Sequence, residues 1–306
     1  MRAMVALRGF APETSPATRR RVMVVLSLAV LGISSSAVLV RGMEGIGPVT
    51  IAGWRCLGSA LLLSPGIAAA WSALSRRDLA WTGVAGAFLG LHFAVWFASL
   101  SHTTVMRSTV IVALVPAWTG LLEWVWHGER PSSRFWAGVG LAIAGVAWMS
   151  GGNEAGGSLK GDAMAGAAGA LWAVYFLIGR DVRQRVEIAG YMGLVCAAAA
   201  ALLFPAAILW GEALVGFSSW TWFLVLLAVL GPQLLGHQGS SYAVRYLPAR
   251  VVSTVMLLEP VGATLLAWVL LGEAPPALAG LAAILVMVGV VVATSSPERP
   301  PSADAP

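Results

Sequence analysis

Ten stretches of roughly twenty apolar residues, separated by short polar or arginine-bearing links, constrain this chain more than any other feature of its sequence. A helix rises about 1.5 Å per residue and the hydrocarbon core of a bilayer is about 30 Å thick, so a spanning helix needs a run of this length. The runs fall near residues 22–40, 48–70, 79–100, 105–126, 135–150, 162–179, 188–210, 219–241, 251–271 and 277–294. Only 11% of the 306 residues are charged, against about a quarter in soluble domains. So few polar side chains cannot clothe a water-soluble globule. In lipid, each backbone amide must be satisfied inside the protein, which helices do for themselves. The expected fold is an all-α integral membrane protein of ten transmembrane helices.

The net charge of +5 does not point to nucleic acid, because the arginines sit in short clusters between the apolar runs. Loops on the cytoplasmic side of a membrane protein carry excess Lys and Arg. With the N-terminus inside, the inner segments hold Arg2, Arg8, Arg19 to Arg21, Arg76, Arg77, Arg130, Arg134, Arg180, Arg183, Arg185, Arg245, Arg250 and Arg299. The outer segments hold little beyond Arg41, Arg107 and Lys160. A multi-pass protein of the cell inner membrane follows, with both termini cytoplasmic. Residues 1–21 are a cytoplasmic lead, and the polar, Pro-rich residues 295–306 a disordered cytoplasmic tail. Arg19 to Arg21 before an apolar run imitates a secretion signal. The run continues past Ser34-Ser35-Ser36 to Val40, however, long enough to span. Cys56 and Cys196 both lie in apolar runs, which indicates neither a disulfide framework nor a metal site, and no cofactor is expected.

The chain repeats itself. Residues 104–150 align without gaps to the segment beginning at Pro248. Pro116 pairs with Pro260, Trp124 with Trp268, Gly128-Glu129 with Gly272-Glu273, Pro131 with Pro275 and Gly145 with Gly289. The two repeats are expected over 22–151 and 162–294. Five spans each, an odd number, would insert the second repeat upside down, an architecture typical of secondary transporters with a site near the midplane.

This pattern of a Pro within the span, an apolar run, Gly-Glu, a further Pro and a Gly-rich closing helix resembles the EamA-type drug/metabolite transporter superfamily. Gly47-Pro48 with Trp54-Arg55 resembles its second helix, and Gly161-Asp162 with Trp172-Ala173 resembles the start of its second half. Intramembrane His92 and fourteen Trp make the chain most similar to the YddG-type aromatic amino acid exporters. That resemblance, not the residues themselves, implies outward transport.

Polar groups deep in a span are costly, about 2.5–3.5 kcal/mol for a mid-bilayer charge on insertion scales, and so mark function or packing. Arg55 and Glu259 are read first as a buried pair fixing two helices, and second as a proton or substrate-amine site at Glu259. His92 shares a helical face with Leu89, Trp96 and Ser99 and is read as lining a cavity. Trp96, Trp118 and Trp172, with Tyr175 one turn from Trp172, lie deep enough to stack on an aromatic or cationic ligand. Simple helix packing competes with that reading for each. Gln238 beside His237, and the stripe of Ser253, Met256 and Pro260, complete the candidate cavity, while Pro116 and Pro260 are expected as paired hinges or cavity walls. Glu123 is read as structural, neutralised by Arg130 or Arg134. Trp71, Trp81, Trp126, Trp136, Trp210, Trp220 and Trp222 sit near run ends, as an interfacial belt requires.

No Gly-x-Ser-x-Gly, His-Glu-x-x-His or Gly-x-x-x-x-Gly-Lys-Ser/Thr motif occurs, which argues against an intramembrane protease or a nucleotide-driven pump. The expected function is non-enzymatic export of amino acids or related metabolites, aromatic ones first, by alternating access. Export of threonine- or cysteine-like amino acids or cationic drugs, a channel, and a non-transport membrane scaffold are the alternatives. The expected partners are a small-molecule substrate and the bilayer, with a monomer expected and a dimer left open.

Overall fold

Apolar runs and helix-ending signals together set the elements seen in the computed structural model, which describes residues 14–72, 74–100, 102–103, 108, 111–149, 158–272 and 278–295. All regular structure among them is helical. The helices are α1 (Pro16–Arg41), α2 (Pro48–Leu62), α3 (Ser64–Trp71), α4 (Arg76–Leu100), α5 (Val115–His127), α6 (Ser133–Met149), α7 (Leu159–Val182) and α8 (Ile188–Leu209). After them come α9 (Ser219–Ala228), a π-helical stretch (Val229–Gln238), α10 (Gly239–Ala243), α11 (Ala249–Met256), α12 (Glu259–Leu271) and α13 (Ala279–Thr294). Six helical segments are long and apolar enough to cross a membrane, and a seventh arises when α2 and α3, bent by 58°, count as one span. The chain is therefore a multi-pass membrane protein. The short apolar α13 lies outside that tally, and the tail 296–306 lies outside the described residues.

Sequence explains most of the boundaries. Ser15, Ser158 and Ser218 each cap a helix by accepting a backbone N–H from the third residue on. The carboxylate of Glu212 accepts from Val49 and Thr50 N–H, at 3.3 and 2.7 Å, at the start of α2, where Gly47 leaves room for it. Gly128 and Gly272 end α5 and α12 in the left-handed conformation (φ 71° and 69°), which costs glycine no Cβ clash. Their N–H groups bond the carbonyls of Trp124 and Trp268, so two positions paired in the sequence repeat build the same cap. Glu273 and Pro275 lie outside the described residues.

Between helices in lipid there is no hydrophobic drive, so small residues that let backbones approach decide the contacts. Helices α6 and α13 meet at Gly138 and Gly289, where an added Cβ would stand 2.3 Å from Ala293 N and 2.4 Å from Ala142 N respectively. Gly86 and Gly90 of α4 lie against Val195, Ala198 and Ala199 of α8 in the same way. Gly32 of α1 abuts Gly231 and Gly236 of the π-helical stretch. Helix α2 also packs on α8, α4 on α7, and α11 on α5.

The prolines are placed differently from the expectation of mid-helix bends. Pro116 and Pro260 occupy the first turns of α5 and α12, immediately after breaks at Leu114 and Leu257–Leu258. A proline there lacks only an N–H that has no helical partner anyway, so the irregular turn falls just before each proline, and residues 249–270 still count as one spanning segment.

Candidate functional site

The middle of the molecule gathers aromatic and polar side chains from α2, α4, α7 and the π-helical stretch. His92 is 3% exposed, and its Nδ1 lies 2.9 Å from the carbonyl oxygen of Ala168 in α7. A carbonyl only accepts, so Nδ1 carries the hydrogen, and in the neutral ring that tautomer leaves Nε2 as an acceptor. Trp96, one turn away, stacks parallel to the imidazole with centroids 6.2 Å apart. Trp172 approaches it from α7 at 5.3 Å and also lies 5.8 Å from His237. Phe93 closes the group at 5.4 Å from His237.

His237 reaches this cluster on a π-helical stretch. Gly231-Pro232, which withdraws one amide and one side chain in mid-span, is the local signal for the irregularity. The same stretch carries Gln233, fully buried, whose Oε1 accepts from Arg55 Nη2 at 3.3 Å and whose Nε2 points to Cys196 Sγ at 3.5 Å. Gln233, and not the neighbouring Gln238 singled out from the sequence, joins the polar centre. Gln238 is only partly buried, and no hydrogen bond ties it to the cluster.

Arg55 and Glu259 do not form a direct ion pair. The guanidinium goes to Gln233, to Ser36 Oγ at 3.4 Å, and over the Phe93 ring at 5.4 Å. Glu259 is half-buried and acts on Arg55 only from beyond ion-pair distance. Its backbone carbonyl accepts from Ser34 at 3.1 Å. The Ser34–Ser36 cluster, read from sequence only as part of a span, thus places α1 between the two charges.

The remaining candidates are dispersed. Trp118 lies against Gly169 of α7, its Nε1 3.6 Å from where a Cβ would stand. Tyr175 is fully buried and bonds Ser241 at 2.5 Å. Ser253 bonds Thr119 at 2.8 Å, joining α11 to α5, and Met256 is buried in the core. Among the described residues, the indole N–H groups of Trp96, Trp118 and Trp172 are buried without an acceptor, and Arg55 Nε and His237 Nδ1 without a partner. Such groups cost about 1–3 kcal/mol each when nothing satisfies them, which marks this centre as a place where a ligand or water is needed.

A second charged group lies towards the arginine-rich side. Glu123 is completely buried, and its partners are not the expected Arg130 and Arg134. Arg180 Nη1 meets Oε1 at 3.2 Å, and Arg250 Nη1 meets Oε2 at 2.5 Å. Both arginines also hold Glu129, at 2.6 and 2.9 Å. Burial alone would raise the Glu129 carboxyl, but the two guanidiniums hold it below the usual glutamate range. Arg130 instead lies over the Trp124 ring at 4.7 Å. Sequence reasoning missed this quartet because Arg180 and Arg250 are distant in the chain from Glu123 and were read as orientation signals. Among the described residues, no cluster of His, Cys, Asp or Glu suits a metal.

Comparison with known proteins agrees with this architecture. The model of the EamA-like transporter family matches residues 20–151 and again 159–295. YwfM of Bacillus subtilis (strain 168), described as an uncharacterized transporter, is 27% identical over 278 residues, which cover 86% of this chain and 89% of YwfM. A probable 4-amino-4-deoxy-L-arabinose-phosphoundecaprenol flippase subunit, ArnE of Klebsiella pneumoniae (strain 342), is 34% identical over 73 residues. That match covers 24% of this chain and 64% of ArnE. A solved crystal structure superposes with a TM-score of 0.76 over 90% of this chain and 97% of the other, at 23% identity, a likeness of fold.

Proposed function

The chain belongs to the EamA-like transporter family, and on that premise we propose that it is a secondary carrier exporting amino acids, aromatic ones first, across the cell inner membrane. The observation that carries the reading is the cluster of Trp172 with His92 and His237, 5.3 and 5.8 Å from its ring, which Trp96 and Phe93 join. A flat aromatic substrate fits such walls, gaining about 0.5–1.5 kcal/mol per stacked pair beyond area burial.

We read the chain as ten spans in two inverted five-helix repeats, with α2–α3 as a broken span, α11–α12 as one span and both termini cytoplasmic. Supporting this are the two separate family matches, the gapless repeat, the equivalent caps at Gly128 and Gly272, and the pairing of α6 with α13 and α5 with α11. His92 and Trp172 then come from opposite repeats, as a midplane site between them requires. Alternating access would use the breaks before Pro116 and Pro260. The flippase subunit among the relatives favours a second reading, a lipid-linked sugar as cargo, but that match reaches only 24% of the chain.

Uptake of labelled amino acids into proteoliposomes of the purified protein, at symmetric pH, tests the proposal. Saturable movement of tryptophan and phenylalanine is expected. Movement of threonine or cysteine with none of tryptophan would leave only the broader metabolite-carrier reading.

A further inference from the structure

Arg55 is a buried positive charge without a direct counter-charge. It is 3% exposed, its contacts to Gln233, Ser36 and Phe93 are all neutral, and its Nε has no partner among the described residues. No carboxylate among the described residues lies within ion-pair distance of it; the direct pairs involve other arginines. Glu259 attracts it from farther away and is itself only half-buried. Buried charges lacking a partner are strongly disfavoured, by several kcal/mol even after relaxation. The structure nevertheless spends three neutral contacts on holding the guanidinium in one place.

The neighbourhood is also short of acceptors. The indole N–H groups of Trp96 and Trp172, which flank His92, are buried with no acceptor among the described residues. The unmet need is for a group that accepts several hydrogen bonds and carries negative charge. A carboxylate does both, and the planar fork of a guanidinium matches its two oxygens. Arg55 lies over Phe93, which is edge-on to His237, so an anion on Arg55 would leave the rest of the molecule near the Trp172 and His92 rings.

We propose that Arg55 is the anchor for a substrate carboxylate, so that the carrier takes molecules joining a deprotonated carboxyl group to an apolar or aromatic body and rejects amines that lack one. This inference rests on the carrier reading above and narrows it: the carboxylate is required, and the α-amine is not.

Competition against labelled tryptophan in proteoliposomes of the full chain tests it, with indole-3-propionate (no amine) and tryptamine (no carboxylate) as competitors. Indole-3-propionate should compete within about tenfold of tryptophan, and tryptamine should fail even at roughly a hundredfold excess, the span a charged hydrogen-bonded contact covers. Arg55→Gln should weaken tryptophan by about tenfold to a hundredfold, with Arg55→Lys recovering part of the loss. Tryptamine competing as well as tryptophan, or Arg55→Gln keeping the wild-type order, overturns the anchor. Where Arg55→Gln does not fold, the wild-type competition series decides alone. Where the carrier moves an aliphatic amino acid and no indole compound, the aromatic reading fails, and that amino acid's own decarboxylated and deaminated analogues replace the indole pair. Where no flux is found, thermal shift of the wild-type protein by the same compounds decides: stabilisation by carboxylates and not amines supports the anchor, and no stabilisation by any carboxylate overturns it.

Discussion

The ring of Trp172 stands 5.3 Å from that of His92, and the two residues belong to different family-matched segments, 159–295 and 20–151. His92 is fixed by its bond to Ala168, on the same helix as Trp172 and one turn before it. The imidazole is therefore both a wall of the aromatic cluster and a link between the two segments.

His92→Leu should impair transport of every substrate the protein carries, since it removes the Nε2 acceptor and the tie to Ala168 together. A lost hydrogen bond of this kind is worth about 0.5–1.5 kcal/mol, or about two- to tenfold in apparent affinity. Initial rates measured across an aromatic and an aliphatic amino acid should fall in parallel. A loss confined to aromatic substrates would show that the imidazole acts by stacking alone.

Glu123→Gln should lower the melting temperature in detergent more than Glu129→Gln does. The first removes the charge from a fully buried carboxylate that Arg180 and Arg250 both hold, and the second removes it from one that is 25% exposed. Breaking a buried pair costs about 3–5 kcal/mol. The pH dependence has a definite sign. Because the Glu129 carboxyl is held below its free value, its contribution is fully present above the ordinary glutamate pKa and is lost as pH falls through the depressed one. Melting curves across the acid range should show wild type losing stability there, and Glu129→Gln should lose less. Equal acid sensitivity in both would remove Glu129 from this role.

Topology can be read by labelling. In a background lacking Cys56 and Cys196, single cysteines at Leu159 and Val215, 86% and 65% exposed, should react with an impermeant maleimide applied outside the cell. Cysteines at Arg76 and Gln184, also exposed, should not. Equal reaction at all four positions would contradict ten spans with both ends inside.

Much of this molecule was legible in its sequence, and the parts that were not share a cause. Helix positions follow from run length and caps, and the equivalence of Gly128 and Gly272 from a repeat visible in the residues alone. His92, Trp96 and Trp172 were identifiable as neighbours because depth and aromatic character select the same few positions. Gln233 was not, because adjacency in the chain singled out Gln238 beside His237, whereas Gln233 lies one turn earlier on the same stretch and shares a helical face with His237. The partners of Glu123 were hidden because ion pairs across 57 and 127 residues leave no local spacing to detect. Arg55 and Glu259 misled in the opposite way: two opposite charges in lipid invite pairing, yet neutral groups on α1 and the π-helical stretch take the guanidinium instead.

The most direct test of the central claim is the transport selectivity of Trp172→Ala, in protein shown to be folded by its gel-filtration profile. Stacking on Trp172 is worth about 0.5–1.5 kcal/mol to a ring and little to a small side chain. Tryptophan and phenylalanine should therefore lose about two- to tenfold in apparent affinity, while any small aliphatic amino acid the protein carries should be nearly unaffected. Aromatic and aliphatic transport falling by the same factor would contradict an aromatic binding site built on Trp172.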